Sequence, residues 1–156
     1  MRSSQPVLLV EDDTIDAMTV QRAFRDLKVT NRLVHVRDGE EALEYLGDSS
    51  NQMPCVILLD LNMPRMNGTE FLQIVKDNSF LKHIPVVVLT TSNEERDVTE
   101  SFRRCVAGYI VKPVDYCKFV EAVKTIDLYW TLSELPGEQV RDTRKVAEAA
   151  TTDRDR

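Results

Sequence analysis

The sequence predicts an α/β protein in which five strands form a parallel sheet covered by helices on both faces. The first observation is that short apolar runs recur along the chain without the alternation that is typical of half-exposed strands. The second is that these runs alternate with segments whose apolar residues have helical spacing. The third is length, because 156 residues suffice for one such domain with a substantial core. Together these observations favour a doubly wound sheet.

The first three strand–helix units occupy the first half of the chain. They are predicted as strand 7–10 with helix 13–27, strand 33–36 with helix 39–46, and strand 55–59 with helix 69–77. Asp13 or Thr14 can cap the first helix. Its apolar residues at roughly helical spacing are Ile15, Met18, Ala23, Phe24 and Leu27. Residues 62–68 contain Pro64 and Gly68, so they are expected to form a loop.

The last two units complete a domain that we expect to span residues 1–132. They are predicted as strand 85–89 with a short helix at 95–104, and strand 109–111 with a long helix at 115–132. The buried face of the long helix is expected to be Phe119, Val120, Val123 and Ile126. Residues 133–156 are polar and of mixed charge, which is typical of a C-terminal extension, arm or disordered tail.

Composition excludes several classes of function. The chain has 26 acidic and 20 basic residues, a net charge of -6 and no basic cluster, which argues against a nucleic-acid surface. No apolar run is long enough to span a bilayer, and the start has no signal-peptide pattern. The three cysteines are odd in number and lack a C-x-x-C pair, so we expect buried, reduced thiols in a cytoplasmic protein.

Chemically active residues follow four different predicted strands. Glu11 and Asp12 follow the first strand, Asp60 the third, Thr90 the fourth and Lys112 the fifth. In a parallel sheet these strand ends share one edge, and ligands bind in the crevice there. Clustered carboxylates repel one another unless a cation is bound, and an all-oxygen set suits Mg²⁺. Such a site favours phosphoryl transfer, with one carboxylate as the nucleophile and the amine and hydroxyl binding phosphoryl oxygens.

Four motifs in order resemble the receiver domains of two-component response regulators, the CheY-like family. They are Leu8-Leu9-Val10-Glu11-Asp12-Asp13, Leu59-Asp60-Leu61-Asn62-Met63-Pro64 through Gly68, Val88-Leu89-Thr90, and Lys112-Pro113. The resemblance covers about residues 7–126. It implies the strand order 2-1-3-4-5 and five helices.

The resemblance also implies a role for each matching residue. Asp60 would be the phosphoacceptor, and Mg²⁺ or Mn²⁺ would bind to Asp12, Asp60 and the backbone carbonyl of Asn62, with Glu11 acting through water. Thr90 would be the switch hydroxyl, Tyr109 the switch aromatic and Lys112 the phosphate-binding amine, with a cis bond before Pro113. Position 11 is more commonly aspartate in the family, and the glutamate found here is a frequent variant.

The implied function is that of a signalling domain and not of an enzyme, apart from self-catalysed phosphorylation and dephosphorylation. A sensor histidine kinase would phosphorylate Asp60, and the Tyr129-Trp130 stretch is similar to receivers that serve phytochrome-type kinases. Signals would pass through protein contacts, with no nucleic acid or membrane involved, or the phosphoryl group would move to a histidine phosphotransfer protein. A homodimer is expected through the 95–104 helix, the 109–111 strand and the 115–132 helix, or through the C-terminal arm. The alternative is that the aromatic residues fold back on their own domain.

Four other functions fit the residues less well. A haloacid dehalogenase-type phosphatase needs an acid where Asn62 stands. A flavodoxin-like cofactor binder needs a phosphate-binding loop where three acids stand. A transcription factor needs a DNA-binding module, and about two dozen residues after the last helix are too few for one. A degenerate receiver that only binds partners is disfavoured by the intact acid set.

Overall fold

The computed structural model describes residues 4–61, 63, 66, 68–90, 106–111 and 116–132, with the backbone alone at 90, 109, 111 and 126–132. The elements, in chain order, are β1 (Val7–Val10), α1 (Thr14–Asp26), β2 (Leu33–Val36), α2 (Gly39–Gly47), β3 (Val56–Asp60), α3 (Gly68–Asp77), a 3₁₀ turn (Leu81–His83), β4 (Val86–Thr90), β5 (Gly108–Val111) and α4 (Tyr116–Leu132). The helix predicted at 95–104 and the extension at 133–156 lie outside the described residues.

The five described strands form one parallel sheet in the order β2-β1-β3-β4-β5, which confirms the predicted fold class and strand order. The registers align the carboxyl ends of neighbouring strands. Val10 pairs with Leu59 of β3, and Thr90 pairs with Val111 of β5. Glu11, which follows β1, and Asp60, the last residue of β3, therefore lie at the same edge of the sheet.

Each face of the sheet has its own apolar core. Alternate residues of β1 divide between them: Leu8 and Val10 pack in the cluster that includes α2 and α3, and Val7 and Leu9 pack in the cluster that includes α1 and α4. Both sets are fully buried. This explains why the strands are apolar throughout, since full burial of each such side chain stabilises the fold by about 1.5–3 kcal/mol.

Helix α1 begins and ends at well-defined caps. The Asp13 carboxylate accepts a hydrogen bond from the Asp16 N–H at 3.0 Å, which confirms the predicted N-cap. At the other end, the Val29 N–H donates to the Phe24 carbonyl at 2.9 Å, as in a Schellman motif. Lys28 has φ 55°, a conformation in which glycine is the usual residue.

The predicted buried face of α1 was partly wrong. Ile15 and Met18 are 75% and 59% exposed, whereas Ala17 and Val20 are buried. At 100° per residue, Ile15 and Met18 lie roughly opposite the Ala17–Val20 side of the helix. Helix α1 carries apolar residues on more than one side. The side that packs against the sheet is the one with Ala17 and Val20, and Ile15 and Met18 face solvent.

Smaller corrections concern cysteines and boundaries. Cys55 is buried as expected, Cys117 is exposed contrary to expectation, and Cys105 lies outside the described residues. Strand β3 extends through Asp60, and β4 through Thr90, one residue beyond each prediction. The 3₁₀ turn was not predicted. No helix in the described part of the chain is both long and apolar enough to cross a bilayer.

Candidate functional site

Three carboxylates converge at the carboxyl edge of the sheet. Glu11, Asp12 and Asp60 each place an oxygen within 4.8 Å of the other two. Glu11 and Asp60 are 0% and 2% exposed, whereas Asp12 is exposed. The sheet thus brings together the three acids that the sequence assigned to one site, with the two buried groups at the ends of the adjacent strands β1 and β3 and the third open to solvent.

The turn after β1 is held by hydrogen bonds to the backbone and side chain of Glu11. Its N–H donates to the Val36 carbonyl at 3.0 Å. Its carbonyl accepts from Nε2 of His35 at 2.7 Å. Its Oε1 accepts from the Asp13 N–H at 3.1 Å. Because Asp13 also caps α1, the acidic turn is tied to both β2 and the first helix.

Asp60 is held in place by the close packing of the α3 start against the end of β3. The Gly68 N–H donates to the Leu61 carbonyl at 3.0 Å. A Cβ atom on Gly68 would lie 2.3 Å from the Asp60 carbonyl oxygen and 2.4 Å from the Leu61 Cα. Because both neighbours are backbone atoms, position 68 has no room for a side chain. The glycine lets α3 begin directly behind the acid.

The loop between β3 and α3 also contacts the start of α2. Met66 packs against Gly39, and the Gly39 N–H lies 3.4 Å from the Met66 carbonyl oxygen. The buried Asp38 caps α2 by accepting from the Glu41 N–H at 2.9 Å. The described part of this loop is thereby supported by a second helix end on the same side of the sheet.

The remaining predicted site residues are described in part or not at all. Thr90 ends β4 one residue beyond Leu89, the partner of Asp60. Tyr109 lies within β5 and pairs with Val88. Their side chains lie outside the described part of the structure. Asn62, Lys112 and Pro113 also lie outside it, and the predicted cis bond with them.

The donor set fits a hard divalent cation. Among the residues that the structure describes, it consists of carboxylate oxygens, which Mg²⁺ and Mn²⁺ prefer over nitrogen or sulfur ligands in proteins. Three ionised carboxylates within 4.8 Å also repel one another, and a bound cation would offset that repulsion. The partial exposure of the cluster through Asp12 leaves an approach from solvent.

Sequence reasoning assigned no role to His35, which the structure places in contact with the acidic turn. The residue lies in β2 beside Leu9, and its contact with Glu11 spans 24 positions in the chain. A histidine in a short strand carries no local signal of such a contact. Only the β1–β2 register makes it recognisable.

Comparison with known proteins yields consistent similarities. Residues 7–124 match the family model described as response regulator receiver domain. The chain is 39% identical over 127 residues to the probable methanogenesis regulatory protein FilR2 of Methanothrix harundinacea, covering 80% of this chain and 82% of that protein. It is 39% identical over 128 residues to the response regulator Rcp1 of Synechocystis, covering 80% and 87%.

Solved structures agree with the sequence matches. The phosphorylated cyanobacterial phytochrome response regulator RcpA has a TM-score of 0.76 at 38% identity, covering 86% of this chain and all of that one. The Mn²⁺-bound form of Rcp1 has a TM-score of 0.75 at 36% identity, covering 85% and 99%.

Proposed function

This chain belongs to the response regulator receiver family of two-component signalling, and from that premise we propose that Asp60 accepts the phosphoryl group of a histidine kinase. The observation that carries the proposal is the buried Asp60 carboxylate at the sheet edge, within 4.8 Å of two further acids. A buried carboxylate beside two other acids is destabilised when no cation is bound, because their negative charges repel. The cluster is therefore better explained by a metal-assisted role than by a structural one.

The proposed metal is Mg²⁺ or Mn²⁺, bound by Asp12, Asp60 and the Asn62 carbonyl, with Glu11 acting through water. The chemistry of the donor set supports it, as does the likeness to a regulator solved with Mn²⁺. When bound, the metal would neutralise charge on the transferring phosphoryl group. The protein's own contribution is to hold the three carboxylates together before the donor arrives.

In the proposed transfer, a carboxylate oxygen of Asp60 attacks the phosphorus of the kinase phosphohistidine. The new P–O bond forms an acyl phosphate, the P–N bond breaks, and the imidazole leaves with its second nitrogen protonated. Lys112 and the Thr90 hydroxyl then bind phosphoryl oxygens. Movement of Thr90 lets Tyr109 turn inward, which shifts the population between two surface states. Self-catalysed hydrolysis of the acyl phosphate ends the signal.

Intact mass spectrometry after incubation with Mg²⁺ and acetyl phosphate tests the acceptor. We expect a gain of one phosphoryl group in the wild type, none in Asp60→Asn, and none after chelation. Glu44→Gln, an exposed acid on α2, is the matched control and should react like the wild type. An unchanged gain in Asp60→Asn would contradict the assignment of the acceptor.

The proposed donor is a phytochrome-type histidine kinase, because relatives solved at 38–39% identity are named as phytochrome or bacteriophytochrome response regulators. Ile15 and Met18 are exposed at the start of α1, two and five residues after Asp13 of the acidic turn, where a donor protein must approach. We expect Ile15→Ser to slow transfer from the kinase and to leave the reaction with acetyl phosphate unchanged. Equal slowing with both donors would contradict a docking role.

Two further aspects of signalling are proposed from the sequence. Output runs through protein contacts in the cytoplasm, by a homodimer or by transfer to a histidine phosphotransfer protein. The dimer would use the 95–104 helix, β5 and α4, or the 133–156 arm beyond the 1–132 receiver domain. Light scattering with and without a beryllofluoride phosphoryl mimic tests it, and a monomer in both states at high concentration would remove the dimer proposal.

A further inference from the structure

The contact between His35 and Glu11 joins the edge strand to the acidic turn. His35 lies in β2, paired with Leu9 of β1, and its Nε2 is 2.7 Å from the Glu11 carbonyl oxygen. A carbonyl oxygen only accepts hydrogen bonds, so Nε2 must carry the proton. Both the neutral Nε2–H form and the imidazolium can donate, so the bond does not depend on ionisation of the ring.

This hydrogen bond lies where the strand ladder stops. The last aligned pair of β1 and β2 is Val10 with Val36, and the Glu11 N–H still donates to the Val36 carbonyl at 3.0 Å. The Glu11 carbonyl is one group farther along, beyond the end of β2. The His35 side chain supplies a donor there and so extends the attachment of β1 to β2 by one peptide unit.

The orientation of that peptide unit affects two members of the acidic cluster. Rotation at Glu11 would move its own carboxylate and would also redirect Asp12, the next residue. The Glu11 Oε1 bond to the Asp13 N–H fixes the turn on its helical side, and the His35 bond fixes it on the strand side. Loss of either bond would widen the range of positions open to the carboxylates near Asp60.

We propose that His35 is a positioning residue that holds Glu11 and Asp12 in place for divalent-cation binding beside Asp60. The inference rests on the proposed function, because it concerns the same acidic cluster. Partners that orient metal ligands typically change metal affinity about 10–100-fold when they are removed. A glutamine side chain can supply an amide N–H to the carbonyl, whereas leucine cannot.

The test compares wild type, His35→Leu and His35→Gln by isothermal titration with Mg²⁺ and by urea unfolding in chelator. His35→Leu should weaken Mg²⁺ binding about tenfold or more, and His35→Gln should restore most of the affinity. His83→Gln, an exposed histidine in the 3₁₀ turn, is the matched control and should bind like the wild type. Nitrogen-15 NMR of the His35 ring should report the Nε2–H form.

The outcomes separate this inference from the function on which it rests. A wild type that binds no Mg²⁺ would overturn the proposed function. If the wild type binds Mg²⁺ and His35→Leu binds it equally tightly, the positioning role alone is overturned. Equal loss of affinity in His35→Leu and His35→Gln would also overturn it, because the donated hydrogen bond would then not be what matters.

Discussion

Replacing Asp60 by asparagine is expected to stabilise the metal-free protein, although it removes the phosphoacceptor. Asp60 and Glu11 are both buried, and their carboxylates approach within 4.8 Å. Two unit charges at 4.8 Å repel by about 3.5 kcal/mol at an effective dielectric constant of about 20. Asp12 is exposed, so its repulsion of Asp60 is screened to about 1 kcal/mol.

These repulsion energies set an upper limit on the gain in the free energy of unfolding that Asp60→Asn can bring. The ammonium of Lys112, predicted to face the same site, would cancel part of the repulsion. We therefore expect Asp60→Asn to raise the free energy of unfolding in chelator by about 1–3 kcal/mol. Divalent metal should narrow this difference, because saturation at about 100 times the dissociation constant adds about 2.7 kcal/mol to the wild type and less to the variant.

The assay is urea unfolding followed by circular dichroism, in chelator and at increasing Mg²⁺. Glu44→Gln removes an exposed negative charge and should change the free energy of unfolding by less than about 0.5 kcal/mol. A less stable Asp60→Asn protein in chelator would refute the argument that the carboxylates repel one another. An equal gain from Mg²⁺ in variant and wild type would refute metal binding at Asp60.

Three other substitutions test local features of the fold. Lys28→Gly should stabilise the protein by about 0.5–1 kcal/mol in urea unfolding, because glycine adopts φ 55° without Cβ strain. Lys28→Ala is the control and should bring no gain. A loss of stability in Lys28→Gly would contradict backbone strain at this position. Gly68→Ala should lower the free energy of unfolding by more than about 2 kcal/mol and slow phosphorylation, because its Cβ would meet the Asp60 backbone. Phosphorylation at the wild-type rate would contradict this. Tyr116 donates to Asp26 at 2.6 Å, and burial and this carboxylate raise its pKa. Its stabilising contribution is therefore present at neutral pH and lost as pH rises through the raised pKa. NMR titration of the Tyr116 ring should show this pKa falling toward its ordinary value of about 10 in Asp26→Asn, and no change would contradict the coupling.

Much of the fold followed from local properties of the sequence. The strands at 7–10 and 33–36 have the bounds that the sequence predicts, because each is a short, mainly apolar run that is followed by a charged residue. The Asp13 cap was also local, because the cap and the helix it serves are adjacent. The convergence of Glu11, Asp12 and Asp60 needed one further step, that parallel strands end at a common edge.

Local patterns in the sequence therefore predict the described strands and helices, and they place Glu11 and Asp60 at the ends of β1 and β3. Tertiary structure decided which face of α1 is buried, why position 68 must lack a side chain, and that His35 contacts Glu11. The physical reason is separation along the chain. Spacing within a segment reports local geometry, whereas the approach of α3 to β3 and of β2 to the acidic turn depends on packing between segments that the local pattern does not describe.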